Sequence, residues 1–358
     1  MSETKDLTIC LNLLSPALHS QNFVPVLTHF CFTKDLVYAY DDRTAIVCAH
    51  DSDLECAIPG HALLDLLDGA SNGFTLEQKG AEAVLTDKGS VMRLPTLPKS
   101  EFVFETPTDK PIASYALTEA LVRALETAAA NANREAIRPN LMGVTLVADA
   151  RRLLMYGTDN VTLTRAAAPA RRGGDVSAIL ARESCDLIVK TWNELRDAKV
   201  KATFSIGKQV VLIEYEAEAY PPIALYAKLI QAEPQDFERT LVDHSKGAGY
   251  VDVNDDLRKA VRRANVVNGD EIEKRCTLEP QDNFIAVSAK GPLGELKARV
   301  RCKGVGAGDA YPVNPELLAR ALDHCSRIGF GGKSLTLANE EDGVETLILV
   351  AKDSSGAK

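Results

Sequence analysis

Residues 58–69 read IPGHALLDLLDG: a strand end, a Pro-Gly turn and then an apolar helix with leucines at 63, 64, 66 and 67. The same order returns in ILARESCDLIVKTWNEL at 179–195 and in YPVNPELLARALDHC at 311–325. Self-similarity at a long interval decides architecture before any single motif can. Each copy leads into stretches that alternate apolar and polar residues and break at Gly or Asp. These are FTLEQKG, AEAVLTDKG and SVMRLPTL after the first, VKATFSIGKQ, VVLIEYEAE and IALYAKLI after the second, and SLTLANEEDG and VETLILVAK after the third. Period-two alternation with such turns predicts antiparallel hairpins.

A second set of helices precedes these blocks, at 6–19 with Pro16 inside, at 117–131 and at 254–265, each followed by a meander of two or three strands. The chain therefore reads as helix-then-strands six times, grouped in pairs. The expected fold is α+β, with three similar domains, each a pair of helix-plus-antiparallel-sheet units. Equivalent helices recur about 122 to 136 positions apart, and a third of 358 residues is about 119. Polar, Pro- or Gly-bearing breaks at FETPTDKPIAS (104–114) and LVDHSKGAGY (241–250) place the domains at 1–110, 111–242 and 243–358. The tail AKDSSGAK is expected to fray, and APARRGGD at 168–175 to form a surface loop.

The composition, 46% hydrophobic and 25% charged, is that of a globular protein. A net charge of −9 argues against whole-surface binding to nucleic acid or anionic lipid and leaves room for a local basic patch. No stretch approaches the roughly 18 apolar residues of a membrane span. The start MSETKDLTIC lacks the basic-then-apolar order of a signal peptide, so a cytoplasmic protein is expected. Eight cysteines without a C-x-x-C pair predict reduced, buried thiols, and six dispersed histidines predict no metal site. No cofactor is expected. Phosphate-loop, dinucleotide and nucleophile-elbow signatures are absent, and GVGAGDA at 304–310 reads as a plain loop. Asp41–Asp42 reads as a hairpin cap and Asp255–Asp256 as the acidic start of a helix. Without a nucleophile and base in any recognisable arrangement, an enzyme is not expected.

The helix at 254–265 is the most informative charged element. Leu257, Val261 and Ala264 make its apolar stripe, and Arg258, Lys259, Arg262 and Arg263 crowd the other side. Such a face is either a solvated surface or one that touches nucleic-acid phosphates without reading bases. Arg123, Arg182 and Lys190 on other helices are further candidates for DNA contact, with Arg134 and Arg138 in the loop NANREAIRPN.

Residues 138–166, RPNLMGVTLVADARRLLMYGTDNVTLTRA, resemble the central domain of bacterial DNA polymerase sliding clamps, the beta subunit of the replicative polymerase. The shared pattern is Leu-x-Gly before a strand, a turn, a second strand and a Thr-Asp pair. FVPVLTHFCF at 23–32, RLPTLPKSEF at 93–102 and KLIQAEPQDFERTL at 228–241 add to it. The order of these motifs, with the length and threefold repeat, extends the resemblance over nearly the whole chain.

The resemblance implies a head-to-tail dimer of three-domain subunits closed into a ring around double-stranded DNA, held without base contacts. It implies a processivity factor that tethers the replicative polymerase, clamp loader and other replication proteins. Those partners would insert a short peptide with apolar and aromatic anchors into a pocket. By position that pocket comprises Leu141, Thr158, Asn160, Val161, Thr162, Leu163, Pro234, Arg239, Thr240, Leu347, Ile348, Leu349 and Val350. The dimer contact falls on Met92 and Leu94 of one subunit and Val266 and Val267 of the other.

The chain departs from the family pattern in several places. Asn160-Val161-Thr162 replaces Gly-His-Arg, LVAKDSSGAK replaces a short Met-Pro-Met type end, and Gln21 and His61 stand where first-domain cations are usual. A different reading therefore accompanies the first: a clamp-fold scaffold or decoy that binds replication proteins without encircling DNA.

Overall fold

A computed structural model of the chain describes residues 3–20, 24–70, 73–133, 138–148, 151–170, 175–218, 220–341 and 343–348. The described helices are α1 (Glu3–Leu14), α2 (Gly60–Leu67), α3 (Glu119–Ala130), α4 (Arg182–Leu195), α5 (Phe237–Ser245), α6 (Asp255–Asn268) and α7 (Pro315–His324). The residues form two compact units. One comprises Met1–Val122, Ala148–Arg151 and Ala170–Gln231; the other comprises Arg123–Val147, Arg152–Pro169 and Ala232–Lys358.

The first unit is built on a nine-stranded antiparallel sheet. Its strands run in the order Leu97–Pro98, Cys56–Pro59, His29–Phe32, Leu36–Tyr40, Thr44–Ala49, Tyr220–Lys228, Val210–Ala217, Lys201–Ile206 and Ala113–Ala116. Both faces of its centre are covered, which explains the continuous burial of Val37–Tyr40 and Thr44–Cys48. On one face α1 packs over Thr44–Ala49, and Ser184 at the start of α4 meets Thr44 through a buried hydroxyl pair 2.9 Å apart. On the other face Phe102 and Phe104 pack against Tyr38, Tyr40 and Tyr226. A separate three-stranded sheet, Thr75–Lys79, Glu82–Asp87 and Ser90–Pro95, ends on Ser90–Pro95.

In the second unit the strands Val144–Ala148, Arg152–Thr158, Thr162–Pro169, Val344–Ile348, Leu335–Asn339, Arg327–Phe330 and Gly249–Asp252 lie side by side in that order. A four-stranded sheet runs Gly294–Arg301, Phe284–Gly291, Cys276–Gln281 and Tyr311–Val313. Two strand glycines allow a helix to approach closely. A Cβ on Gly157 would lie 1.8 Å from the Ala128 carbonyl oxygen of α3, and one on Gly291 would lie 2.6 Å from that of Val267 in α6. The same device, a strand glycine under the end of a helix, thus serves two of the repeated helix-then-strands blocks.

Some expectations need correction. The first helix ends at Leu14 and passes into a 3-10 turn, Ser15–Ala17, instead of running to 19, because Pro16 lacks the N–H that would continue the ladder. The cationic helix continues three residues past 265, to Asn268. Helix α5 was not foreseen; Asp236 caps it by accepting from the Arg239 N–H. The expectation of eight reduced thiols fails at Cys10 and Cys48, which pair as a disulfide between α1 and the strand Thr44–Ala49. Nothing in their spacing of 38 residues signals the pair; the packing of α1 onto that strand creates it. The other six cysteines are free and buried.

As expected, Asp41 caps its hairpin, with Oδ1 accepting from the N–H groups of Arg43 and Thr44 at 2.9 and 2.6 Å. Among the described residues no helix is long and apolar enough to cross a membrane, and no cluster of His, Cys, Asp and Glu could hold a metal ion.

Candidate functional site

Two features of the second unit gather most of the residues singled out from sequence. The first is a recess of about 220 Å³. The turn between Arg152–Thr158 and Thr162–Pro169 supplies Thr158, Asn160, Val161 and Thr162 to its wall; Leu163 and Leu347 come from the paired strands beside it. Leu141 and Thr240, from the 3-10 turn Pro139–Leu141 and from α5, are the other expected residues that line it.

Pro234, Arg239 and Ile348 do not line the recess. Leu347 and Ile348 point to opposite faces of their strand, and the Arg239 side chain is 81% exposed and pairs with Asp243. Leu349 and Val350 lie outside the described residues. Arg138, expected among the DNA contacts, lines this recess instead, as do Gln235 and Phe237, which the sequence reading missed.

The recess floor is a small apolar core of Leu154, Tyr156, Leu163, Phe237, Leu241 and Leu347. Tyr156 and Phe237 hold their rings 5.9 Å apart. Tyr156 donates to Glu238 Oε2 at 2.8 Å, and Arg165 reaches Glu238 Oε1 at 2.7 Å and Glu345 Oε2 at 2.8 Å. This network fastens α5 to the strands. Burial raises the Tyr156 phenol well above its ordinary value, and its bond to Glu238 adds to that rise. For Arg165 burial works against the charge, but the bond to Glu238 and the charges of Glu345 and Glu238 outweigh it and keep the guanidinium protonated.

The turn is itself tightly bonded. Asp159 Oδ1 accepts from the N–H groups of Val161 and Thr162 at 3.0 and 2.6 Å and from Thr162 Oγ1 at 2.7 Å. Asn160 takes a φ of 71°, which Asn tolerates better than most side chains. Val161 is 42% exposed at the turn.

The second feature is α6. Asn254 caps it, Leu257, Val261 and Ala264 are buried, and its cations divide into two kinds. Arg258 donates to the Cys325 carbonyl at 3.0 Å and Arg262 to Asp323 at 2.8 Å, so both are engaged by the end of α7. Lys259 and Arg263 are exposed and have no partner among the described residues. Arg123 of α3 borders a recess of about 200 Å³ together with Arg258 and His324. In the first unit Lys190 is exposed on α4 and Arg182 lies 3.9 Å from Asp186. Arg134 and Gln21 lie outside the described residues.

Met92 and Leu94 are half-buried on the terminal strand Ser90–Pro95. Val266 is 66% exposed and Val267 half-buried at the end of α6. Near Val266, Ile272 and Leu293 are the most exposed large apolar side chains, at 98% and 70%. Neither was singled out from sequence, although a leucine inside the turn GPLGE was a usable signal.

No family profile and no curated protein matches the chain. Solved structures do. The DNA polymerase III subunit beta of Pseudomonas aeruginosa superposes with a TM-score of 0.84 at 16% identity, over 98% of each chain. The DNA polymerase sliding clamp of Caulobacter crescentus gives 0.84 at 18%, again over 98% of each. A DNA polymerase III beta subunit from Eubacterium rectale gives 0.86 at 12%, over 97% of each. The chain has the sliding-clamp fold.

Within that fold, the clamp-like pattern at 138–166 supplies the turn, the two strands beside it and the Leu141 wall of the recess. A further P. aeruginosa sliding clamp is bound to griselimycin.

Proposed function

We propose that the chain is a DNA polymerase processivity clamp without catalytic activity, built of three similar domains (1–110, 111–242 and 243–358) and closed as a head-to-tail homodimer around duplex DNA. The likeness to sliding clamps from end to end of the chain carries this reading. Lys259 and Arg263 are cations available to a phosphate backbone in a protein whose net charge is −9. A backbone held by such long side chains is not read for sequence, so the protein can slide.

Closure needs a heterologous contact, used twice in the dimer. Two terminal strands are suited to it. Ser90–Pro95 ends one sheet and Gly294–Arg301 another, and a terminal strand presents unpaired N–H and C=O groups. Apolar residues accompany each, Met92 and Leu94 with the first, Val266, Ile272 and Leu293 near the second.

The recess beside Val161 would take a short peptide of the replicative polymerase, the clamp loader or another replication protein through apolar anchors.

A scaffold or decoy that binds the same peptides without encircling DNA is the second reading. The engagement of Arg258 and Arg262 within the protein favours it. One experiment separates the two. A clamp has a mass near twice 38.7 kDa and is retained on circular duplex but slides off linear duplex. A monomer at micromolar concentration, or equal retention on both DNA forms, rejects the ring.

A further inference from the structure

We propose that Arg320 is a positioning residue for the recess: acting through Asp159, it sets the turn Thr158–Thr162 and so presents Val161 to an apolar side chain of the bound peptide. The proposal rests on the peptide-recess reading given above. Arg320 does not line the recess. It projects from α7, a helix fixed independently by its Asn314 cap and by the burial of Leu318, Ala321 and Leu322.

Its Nη2 donates to Asp159 Oδ2 at 3.1 Å, across 161 residues of sequence. The other carboxylate oxygen, Oδ1, carries three bonds of the turn. One carboxylate therefore ties the recess wall to a rigid helix. A carboxylate's terminal torsion is soft, and a partner on the second oxygen helps to keep Oδ1 aimed at the two N–H groups. The pair is well placed for this: the Asp159 side chain is 24% exposed and that of Arg320 37%, so water screens it less than an open surface pair.

Asp159 sits at the base of a turn whose tip residues, Asn160 and Val161, line the recess. Thr158 Oγ1 donates to the Thr162 carbonyl at 2.7 Å and accepts from the Asn160 N–H at 3.1 Å, so the turn moves as one bonded piece. Its ends are held by the pairing of Thr158 with Leu163, and Arg320 adds a tether from outside the recess.

The test uses the full-length protein with Arg320→Ala, Arg320→Lys and Asp159→Asn. Hydrogen exchange is followed by mass spectrometry on fragments covering 158–163, and affinity is read with a fluorescent peptide ending in Leu-Phe. For Arg320→Ala we expect exchange in 158–163 to quicken about tenfold and peptide affinity to fall about tenfold, the loss of one charge-assisted hydrogen bond. Exchange in α7 and the molecular mass should not change. Arg320→Lys should recover part of both effects, and Asp159→Asn, which keeps the Oδ1 acceptor, should fall between wild type and Arg320→Ala.

Unchanged exchange at 158–163 in Arg320→Ala overturns the proposal, as does a uniform rise across α7. If the wild-type protein takes up no peptide, the recess reading fails on its own, and the exchange result still decides whether Arg320 holds the turn.

Discussion

Arg262 of α6 donates to the Asp323 carboxylate of α7 at 2.8 Å. The two side chains are 62% and 50% exposed, so the pair adds little to stability, but it cancels one of the four cations on the helix. Lys259 and Arg263 then carry the free positive charge. Replacing both by Glu should weaken retention on circular duplex more than Arg262→Glu does. It should also lower the slope of log affinity against log salt by about one to two. Asp323→Asn should strengthen retention. Salt titrations of the three variants decide the matter, and equal slopes would place α6 away from DNA.

Val161 and Leu347 both line the recess yet should respond differently to Asp. Val161 is 42% exposed, so Val161→Asp should abolish peptide binding and leave the melting temperature within a few degrees of wild type. Leu347 is 1% exposed in the apolar floor, and Leu347→Asp should unfold the region, since an unpaired buried carboxylate costs several kcal/mol. Calorimetry beside peptide titration separates the two effects.

Ile272 and Val266 are exposed apolar side chains with no cover in one chain. Ile272→Asp and Val266→Asp should each convert a dimer to monomers with unchanged circular dichroism, read by sedimentation. A dimer that survives both substitutions would remove this surface from the proposed contact.

Alkali should destabilise the protein. Burial pushes the thiols of Cys31, Cys276 and Cys325 from about 9 to about 12, and that of Cys56 to about 11. The folded state holds these protons more tightly than the unfolded chain does. The corresponding stability is complete below about pH 9 and is lost as pH rises through 9 to 12. Urea midpoints at pH 8 and 10.5 should show the fall, and a Cys31→Ser, Cys276→Ser double variant should show less of it.

The Cys10–Cys48 bond predicts a thiol count. In denaturant without reductant six of the eight cysteines should react with a thiol reagent, and after reduction all eight. A count of eight before reduction would show that the pair does not form in the isolated protein.

The helices around 60–67, 119–130, 182–195 and 315–324 and the hairpins after them were legible in sequence because both depend on local periodicity. Apolar spacing, turn glycines and helix caps act within a few residues. The clamp resemblance was legible for the same reason, since it lies in the order of such local patterns. Helix α5 escaped because its apolar face shows only Phe237 and Leu241 as buried residues, too short a stripe to read.

What tertiary structure alone decided is which distant residues meet. It joined the Thr158–Thr162 turn to Leu347 and Thr240, moved Arg138 to the recess and set Ile348 on the opposite face of its strand. It also paired Asp159 with Arg320, Arg262 with Asp323 and Cys10 with Cys48. Such pairings follow from strand register and helix packing across 161 residues in the first case, 61 in the second and 38 in the third. A local pattern says which face of an element is apolar, but the partner of a charge is chosen only when two faces have been brought together.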